Sequence, residues 1–224
     1  MLNDELQEER MVAVDIWSDV VCPFCFIGKR RLEAAAAEEG VPLEVTWRAF
    51  ELNPDAPAID PRPLAERIAQ KYGRTIEQAE QSQRQIADMA AHEGIEFNWT
   101  TARGGNTFNA HRLAKLAAMV GVGDRAQDVL MRRYFTDGEP IGANETLLAA
   151  GLELGMSGED VAALLASDAF ADEVRQDQAI ARDELQVEGV PFFVFARKYA
   201  ISGAQPREYF RAALRKIADE TAGA

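Results

Sequence analysis

The chain contains two cysteines, Cys22 and Cys25, with two residues between them. The apolar, largely β-branched stretch Val12–Trp17 comes before the pair and predicts a buried strand. Pro23 follows Cys22, and proline is favoured at the first position of a helix because its missing N–H would be unpaired there. A strand followed directly by a helix that begins at a cysteine pair strongly limits the folds that this chain can adopt.

The position of Cys22 indicates redox chemistry. The thiolate is the form of cysteine that attacks disulfides, and the free N–H groups and the dipole of a helix N-terminus stabilise negative charge on sulfur. Cys25 is expected one turn further along the helix and more deeply buried. We therefore expect Cys22 to attack a disulfide and form a mixed disulfide, which Cys25 resolves by attacking Cys22.

Two other uses of the cysteine pair compete with this interpretation. A zinc site needs four ligands, and besides the cysteines only His92 and His111, on separate predicted helices, are soft ligands. We therefore predict no metal. The other alternative is a pair of buried thiols with a purely structural role. It does not explain why a strand precedes the pair and why a proline follows Cys22.

Composition excludes several classes of partner. A net charge of −13 over 224 residues disfavours nucleic-acid binding, which relies on clustered Lys and Arg. No segment approaches the roughly 20 apolar residues of a membrane-spanning helix, and residues 1–10 form an acidic tail that lacks the apolar core of a secretory signal. We predict a cytoplasmic protein without nucleic-acid or membrane partners. Its oligomeric state does not follow from the sequence.

The order of predicted elements indicates an α/β fold with a large helical insertion. A strand–helix–strand unit opens the chain and a strand–strand–helix unit closes it, so the two ends complement each other as one small sheet. We predict that residues 11–62 and 186–224 form this α/β domain and that residues 63–185 form an all-helical insertion domain. The proline-rich segment 53–63 predicts a loop at the first boundary. The expected strands are Val12–Trp17, Leu43–Phe50, Phe192–Phe195 and Tyr199–Ser202, and the expected helices are Pro23–Glu39, Pro63–Tyr72, Ile76–Glu93, Thr107–Val120, Asp124–Thr136, Glu145–Leu154, Gly158–Ala166, Asp168–Gln186 and Pro206–Ala218.

One predicted helix carries a candidate core stripe. In the segment 168–186, four apolar residues fall near one face at helical spacing and are expected to be buried together. They are Phe170, Val174, Ala181 and Leu185.

Four motifs resemble the DsbA family of the thioredoxin superfamily, and most closely its FrnE-like branch. The resemblance implies a thioredoxin fold with an all-helical insertion and the activity of a thiol–disulfide oxidoreductase. It also implies that Val190–Pro191 is a cis peptide beside the dithiol, where the backbone of Val190 pairs with an extended substrate. The motifs are residues 14–30 (VDIWSDVVCPFCFIGKR), 47–54 (WRAFELNP), 106–113 (NTFNAHRL), and 189–195 (GVPFFVF) together with 201–205 (ISGAQ).

Two departures from the family matter. Periplasmic members carry a histidine between the cysteines that stabilises the thiolate, whereas Phe24 stands there in this chain and offers no charge. We therefore expect a weaker oxidant than the strongly oxidising relatives. Some FrnE-like proteins have a second cysteine pair near the C-terminus, which this chain lacks, so electrons cannot pass between two internal pairs.

The expected substrate contacts surround the dithiol. Phe24 and Phe26 are expected to form an apolar rim around Cys22. His111 falls opposite the apolar stripe of its predicted helix, where it either lines the dithiol cleft or packs in the interior. Asp19 precedes the motif as a proton relay or as a capping or solvated carboxylate. The predicted substrate-binding residues are Pro23, Phe24, His111, Val190 and Pro191.

Three functions remain open from the sequence. The first is dithiol exchange with a disulfide- or thiol-containing protein or small molecule, with no cofactor beyond the Cys22–Cys25 disulfide and with glutathione as a conceivable co-substrate. The second is a glutathione-dependent isomerase or transferase of the 2-hydroxychromene-2-carboxylate isomerase and kappa class, which has no need of a resolving thiol at Cys25. The third is a redox-sensing binding protein or chaperone, which predicts client binding that survives Cys22→Ser.

Overall fold

A computed structural model describes the backbone of residues 11–222 and the side chains of residues 11–220. The predicted acidic tail, residues 1–10, lies outside the described residues. The elements in chain order are β1 (Val12–Ser18), α1 (Pro23–Glu39), β2 (Leu43–Ala49), β3 (Asp60–Pro63), α2 (Leu64–Tyr72), α3 (Ile76–His92), β4 (Arg103–Gly104), α4 (Phe108–Met119), α5 (Gly123–Phe135), α6 (Asn144–Glu153), α7 (Gly158–Leu165), α8 (Ala171–Ala179), β5 (Phe192–Phe195), β6 (Tyr199–Ser202) and α9 (Arg207–Ala222).

The two ends of the chain build one four-stranded sheet in the order β2-β1-β5-β6. Strand β1 pairs in parallel with β2, with Val12 opposite Leu43. It pairs antiparallel with β5, and β5 pairs antiparallel with β6. Helices α2–α8 all lie in sequence between the two halves of the sheet. The predicted α/β fold with a large helical insertion is confirmed, while the exact boundaries of the two parts stay a prediction.

One face of the sheet is mainly apolar, and we call it the apolar face. Alternate residues of the strands point to this side, as the two-residue period of a strand requires, and helices α1 and α9 cover them. Burying these side chains supplies the main favourable term that holds the sheet and the two helices together. The strand residues are Val12, Val14, Ile16, Phe193, Phe195 and Ile201, and the helix residues are Leu32, Ala35, Ala36, Phe210, Leu214, Ile217 and Ala218.

The opposite face of the sheet carries charged residues that contact the helical insertion. Asp177 of α8 is buried there, its carboxylate accepts the backbone N–H of Ala49 at 2.9 Å, and it forms ion pairs with Arg48 and Lys115. Arg48 also pairs with Asp15 of β1 at 2.7 Å. We call Asp15, Arg48, Lys115 and Asp177 the charged seam. It joins α4 and α8 of the insertion to β1 and β2.

Helix α1 begins and ends where the sequence predicts. Cys22 is its N-cap residue with extended backbone angles (φ −92°, ψ 113°), and Pro23 is the first helical residue. Gly40 ends the helix in the left-handed conformation with φ 62°, and its N–H bonds to carbonyls of the last turn. Glycine adopts this conformation at little cost because it has no Cβ.

The prediction of one helix over residues 168–186 is wrong. Phe170 has a left-handed backbone (φ 60°), so α8 starts only at Ala171, and a π-helical turn over Ile180–Glu184 follows it. Because a π turn holds extra residues, it rotates the residues after it away from the stripe. Val174 and Ala181 are fully buried, whereas Phe170 is half-buried and Leu185 is exposed.

The proline-rich segment 53–63 is also not simply a loop. Its last residues form β3, which pairs antiparallel with β4, so that Asp60 lies opposite Gly104 and Pro63 opposite Arg103. This short ribbon connects the start of the insertion to the segment before α4. No helix within residues 11–222 is long and apolar enough to span a membrane.

Candidate active site

Cys22 lies between the start of α1 and the loop before β5. Its backbone N–H donates to the Asp19 carbonyl at 3.0 Å, and its own carbonyl accepts the N–H of Cys25 at 3.0 Å, which starts the helix. The thiol donates to the carbonyl oxygen of Val190 at 3.4 Å, and the residue is only 4% exposed. A residue 168 positions away in sequence therefore supplies the polar contact of the predicted attacking sulfur.

Cys25 lies behind Cys22, one helical turn further in, and is 1% exposed. Burial raises the pKa of the Cys25 thiol well above its ordinary value, and the adjacent Cys22 raises it further. The Ser18 hydroxyl and the Asp19 backbone act weakly in the opposite direction. Both cysteines are free thiols. The site thus presents one sulfur at the helix terminus and keeps the other as a neutral thiol directly behind it.

The loop 186–191 forms the wall of the site opposite the helix. The Val190–Pro191 peptide bond is cis, as the resemblance implies, and both residues are buried. The Pro191 carbonyl accepts the Gly203 N–H at 2.8 Å, which ties the loop to the end of β6. A cavity of about 320 Å³ opens along this wall and is lined by residues 186–192 together with Ser202 and Gly203.

Gly28, which sequence reasoning did not single out, lets α1 approach this wall closely. A Cβ at position 28 would lie 3.1 Å from the Phe193 ring and 3.1 Å from Cγ of Pro191. That separation is shorter than ordinary contact between carbon atoms, about 3.5–4.0 Å. The motif contains this glycine, but its role depends on residues more than 160 positions away and is not visible in the sequence.

The two predicted rim phenylalanines have different environments. Phe24 is 39% exposed and Pro23 is half-buried, so both are accessible beside Cys22. Phe26 is buried instead and packs against Phe135 with ring centroids 6.1 Å apart. The rim prediction for Phe26 is wrong because two residues along a helix correspond to a rotation of about 200°, which turns Phe26 toward the interior.

His111 is buried beside the turn that precedes the dithiol. It is 3% exposed, and its Nε2 lies 3.5 Å from Oδ1 of Asp19. The Asp19 carboxylate also accepts the backbone N–H of Leu52 at 2.8 Å, so it caps a backbone group rather than facing solvent. A contact between His111 and substrate stays a prediction.

Tyr134 is a buried group near the dithiol that sequence reasoning missed. Its hydroxyl accepts a hydrogen bond from Nη2 of Arg67 at 3.3 Å. Burial raises the pKa of the Tyr134 phenol above its ordinary value, and the neighbouring Arg67 guanidinium offsets part of this shift. A tyrosine in an amphipathic helix is more often a core residue than a functional one, so the sequence carries no signal that distinguishes Tyr134.

The described residues do not assemble a metal site. Among residues 11–220, no group of three or more His, Cys, Asp and Glu side chains is placed to hold a metal ion. His92, one of the two histidines in the zinc alternative, is exposed, and its Nδ1 contacts the Asp88 carbonyl at 2.7 Å.

A four-stranded sheet of this order, with a Cys-x-x-Cys pair at the N-terminus of the first helix, defines a thiol–disulfide oxidoreductase of the thioredoxin fold. Residues 13–215 match the model of the DSBA-like thioredoxin domain. The chain therefore belongs to the DSBA-like thioredoxin domain family.

Three known proteins illustrate the relationship. The uncharacterized protein YwbO of Bacillus subtilis (strain 168) is 28% identical over 205 residues, which is 91% of this chain and 96% of YwbO. The probable DsbA oxidoreductase SCO1869 of Streptomyces coelicolor is 38% identical, with a TM-score of 0.87 and coverage of 93% of this chain and 91% of SCO1869. A 2-hydroxychromene-2-carboxylate isomerase has the same fold at 17% identity, with a TM-score of 0.67 and coverage of 94% and 98%. Fold alone therefore does not separate an oxidoreductase from an isomerase.

Proposed function

We propose that the protein reduces disulfides by dithiol exchange, with Cys22 as the attacking sulfur and Cys25 as the resolving sulfur. The observation that carries the proposal is the unequal placement of the two thiols. Cys22 caps α1 and contacts the Val190 carbonyl, whereas Cys25 is held neutral in the interior one turn behind it. An isomerase that activates glutathione does not require this second thiol.

The exchange proceeds in two steps that balance. The Cys22 thiolate attacks one sulfur of the substrate disulfide, a Cys22–substrate disulfide forms, and the other substrate sulfur leaves as a thiolate that takes up a proton. Cys25 then loses its proton and attacks the Cys22 sulfur, and the second substrate sulfur leaves. The substrate gains two electrons, and the protein ends with a Cys22–Cys25 disulfide.

The surroundings of Cys22 support a reductant more than a strong oxidant. A strong oxidant stabilises its reduced form, in particular the thiolate. In this protein Cys22 Sγ donates to the Val190 carbonyl oxygen at 3.4 Å, a neutral group rather than a cation that would stabilise a thiolate. Phe24 contributes no charge between the cysteines. We infer a reduction potential closer to the roughly −270 mV of thioredoxin than to the roughly −120 mV of DsbA.

Three finer assignments belong to the same proposal. The motif around Cys22 supports membership of the FrnE-like branch. A chain with just two cysteines, both in the dithiol, suits the reducing environment of the cytoplasm. The partner that returns electrons to the Cys22–Cys25 disulfide is a thiol, and glutathione is one candidate co-substrate for that step.

Insulin reduction followed by turbidity tests the proposal, with each cysteine changed separately. Cys22→Ser is expected to abolish activity, because the attacking sulfur is lost. Cys25→Ser is expected to lose turnover while accumulating mixed disulfides on non-reducing gels, because the first step proceeds and the second does not. Wild-type activity in Cys22→Ser would refute the proposal, and a Cys25→Ser variant without trapped species would refute the division of roles.

A further inference from the structure

The cavity beside the Cys22–Val190 contact carries a single formal charge on its lining residues. That charge belongs to Glu188, whose side chain is exposed and takes part in no ion pair or hydrogen bond with any other residue in the described part of the chain. The remaining lining residues are neutral: Gln186, Val187, Gly189, Val190, Pro191, Phe192, Ser202 and Gly203.

The cations on either side of the cavity are engaged elsewhere. Arg182, before the loop, donates to the Glu51 carbonyl at 2.9 Å and stacks over the Phe50 ring at 5.0 Å. Arg31, near the opposite rim, donates to the Ala204 carbonyl and forms an ion pair with Glu93 at 2.7 Å. Neither guanidinium is directed at Glu188, so the carboxylate keeps its negative charge available at the cavity.

Glu188 is also close to the reacting sulfur. It lies two residues before Val190, and two residues of chain span at most about 7 Å. The Val190 carbonyl in turn lies 3.4 Å from Cys22 Sγ. At an ionic strength of about 0.01 M charges are screened only over about 30 Å, so under low-salt conditions a charged group beside the reacting cysteine of a substrate comes within the range of this carboxylate.

We propose that Glu188 is a specificity-determining residue that favours disulfides with a cationic group next to the reacting cysteine and disfavours anionic disulfides. The inference rests on the proposed exchange at Cys22. Oxidised glutathione carries several carboxylates and belongs to the disfavoured class. Short peptides and protein segments with Lys or Arg beside a cysteine belong to the favoured class.

A single-turnover assay isolates this effect from the recycling partner. The reduced protein, freed of other thiols, is mixed with peptides Ac-X-Cys-NH2 whose cysteine is disulfide-bonded to 2-thiopyridine, where X is Lys, Gln or Glu. Release of 2-thiopyridone is followed by absorbance. We expect the Lys peptide to react about tenfold faster than the Glu peptide at low ionic strength. The ratio should fall below about twofold near 1 M salt, where the screening length is about 3 Å.

Two substitutions separate the local charge from the overall charge of the protein. Glu188→Gln is expected to reduce the Lys-to-Glu rate ratio to about twofold, since the Coulomb interaction with X is removed. Glu173→Gln changes the net charge equally at an exposed position of α8 outside the cavity, and it should preserve the wild-type ratio. Circular dichroism confirms that both variants are folded.

The outcomes distinguish the inference from the proposed function. An unchanged ratio in Glu188→Gln, or an equal change in Glu173→Gln, would overturn the role of Glu188 even if the wild-type protein is active. If instead the wild-type protein releases no more 2-thiopyridone than Cys22→Ser with any of the three peptides, the exchange at Cys22 itself is refuted.

Discussion

The two faces of the sheet are built from the same strands but are held to their helices by different interactions. The apolar face packs against α1 and α9 through side chains that alternate along each strand. The opposite face meets α8 and α4 through the charged seam, in which one buried carboxylate, Asp177, accepts from two cations and a backbone amide. On the apolar face the helices are held to the sheet by hydrophobic burial, which has no direction and depends on the buried area. On the opposite face they are held by ion pairs and hydrogen bonds, which are directional and depend on each charge having its partner.

Consecutive phenylalanines of β5 give the largest expected difference between the faces. Phe193 is fully buried on the apolar face and meets the Phe210 ring edge-on at 5.0 Å. Phe193→Ala is expected to lower the free energy of unfolding by about 3–5 kcal/mol. Phe192 is half-buried on the other face, so Phe192→Ala should cost about 1–2 kcal/mol. Urea denaturation measures both, and equal losses would mean that the faces do not differ in apolar packing.

A charge removal tests the seam. Asp177→Asn keeps the shape of the side chain but removes the negative charge shared by Arg48 and Lys115. We expect a loss of about 2 kcal/mol in the free energy of unfolding, because buried hydrogen bonds to charged groups are lost. Asp172→Asn is the matched control, since Asp172 is 96% exposed in its pair with Arg175, and it should cost less than about 0.5 kcal/mol. If both variants were equally stable, the seam would contribute nothing to the attachment of α8.

The smallest expected effect concerns the solvent edge of the apolar layer. Hydrogen bonds from Arg215 and Arg211 of α9 lower the pKa of Glu39, at the end of α1, to about 2 from its ordinary 4.5. A lowered pKa means that the ionised form is favoured by folding. The stabilisation is therefore complete above pH 4.5 and is lost as the pH falls through about 2.

A carboxyl-carbon NMR titration checks this value. We expect the Glu39 midpoint at about 2 in the wild-type protein and a higher midpoint in Arg215→Ala, in which the strongest partner is gone. A wild-type midpoint at the ordinary value would show that the ion pairs of Glu39 do not help to join α1 and α9. The difference between the two faces would then become larger, because Glu39 would add no directional pairing on the apolar side.

The sequence predicts the apolar face well and the seam poorly, for a physical reason. The apolar runs Val12–Trp17 and Phe192–Phe195 are local, so the strands follow from short stretches, and Pro23 and Gly40 mark the ends of α1 by backbone rules. The members of the seam are four ordinary charged residues at positions 15, 48, 115 and 177. Most such residues face solvent, and nothing local shows which ones meet across the fold.

The residues of the candidate site likewise fall into those that the sequence predicts and those that depend on contacts between distant parts of the chain. Cys22 and Cys25 follow from spacing and helix position, and the Val190–Pro191 wall follows from the family resemblance. The contact of His111 with Asp19, the burial of Tyr134 and the inward turn of Phe26 depend on how the helical insertion packs behind the dithiol. The π-helical turn after α8 has no counterpart in apolar periodicity, which is why Leu185 was wrongly expected in the core.

The close approach at Gly28 has a mechanical consequence. Because α1 packs directly against Pro191 and Phe193 with no side chain between them, the helix that begins at Cys22 and the wall that faces it are held together as one packed unit. Substrates must therefore adapt their own shape to a gap of fixed width. Extended, flexible segments meet that demand readily, whereas a disulfide held inside a folded domain must first be exposed by local unfolding of its own host.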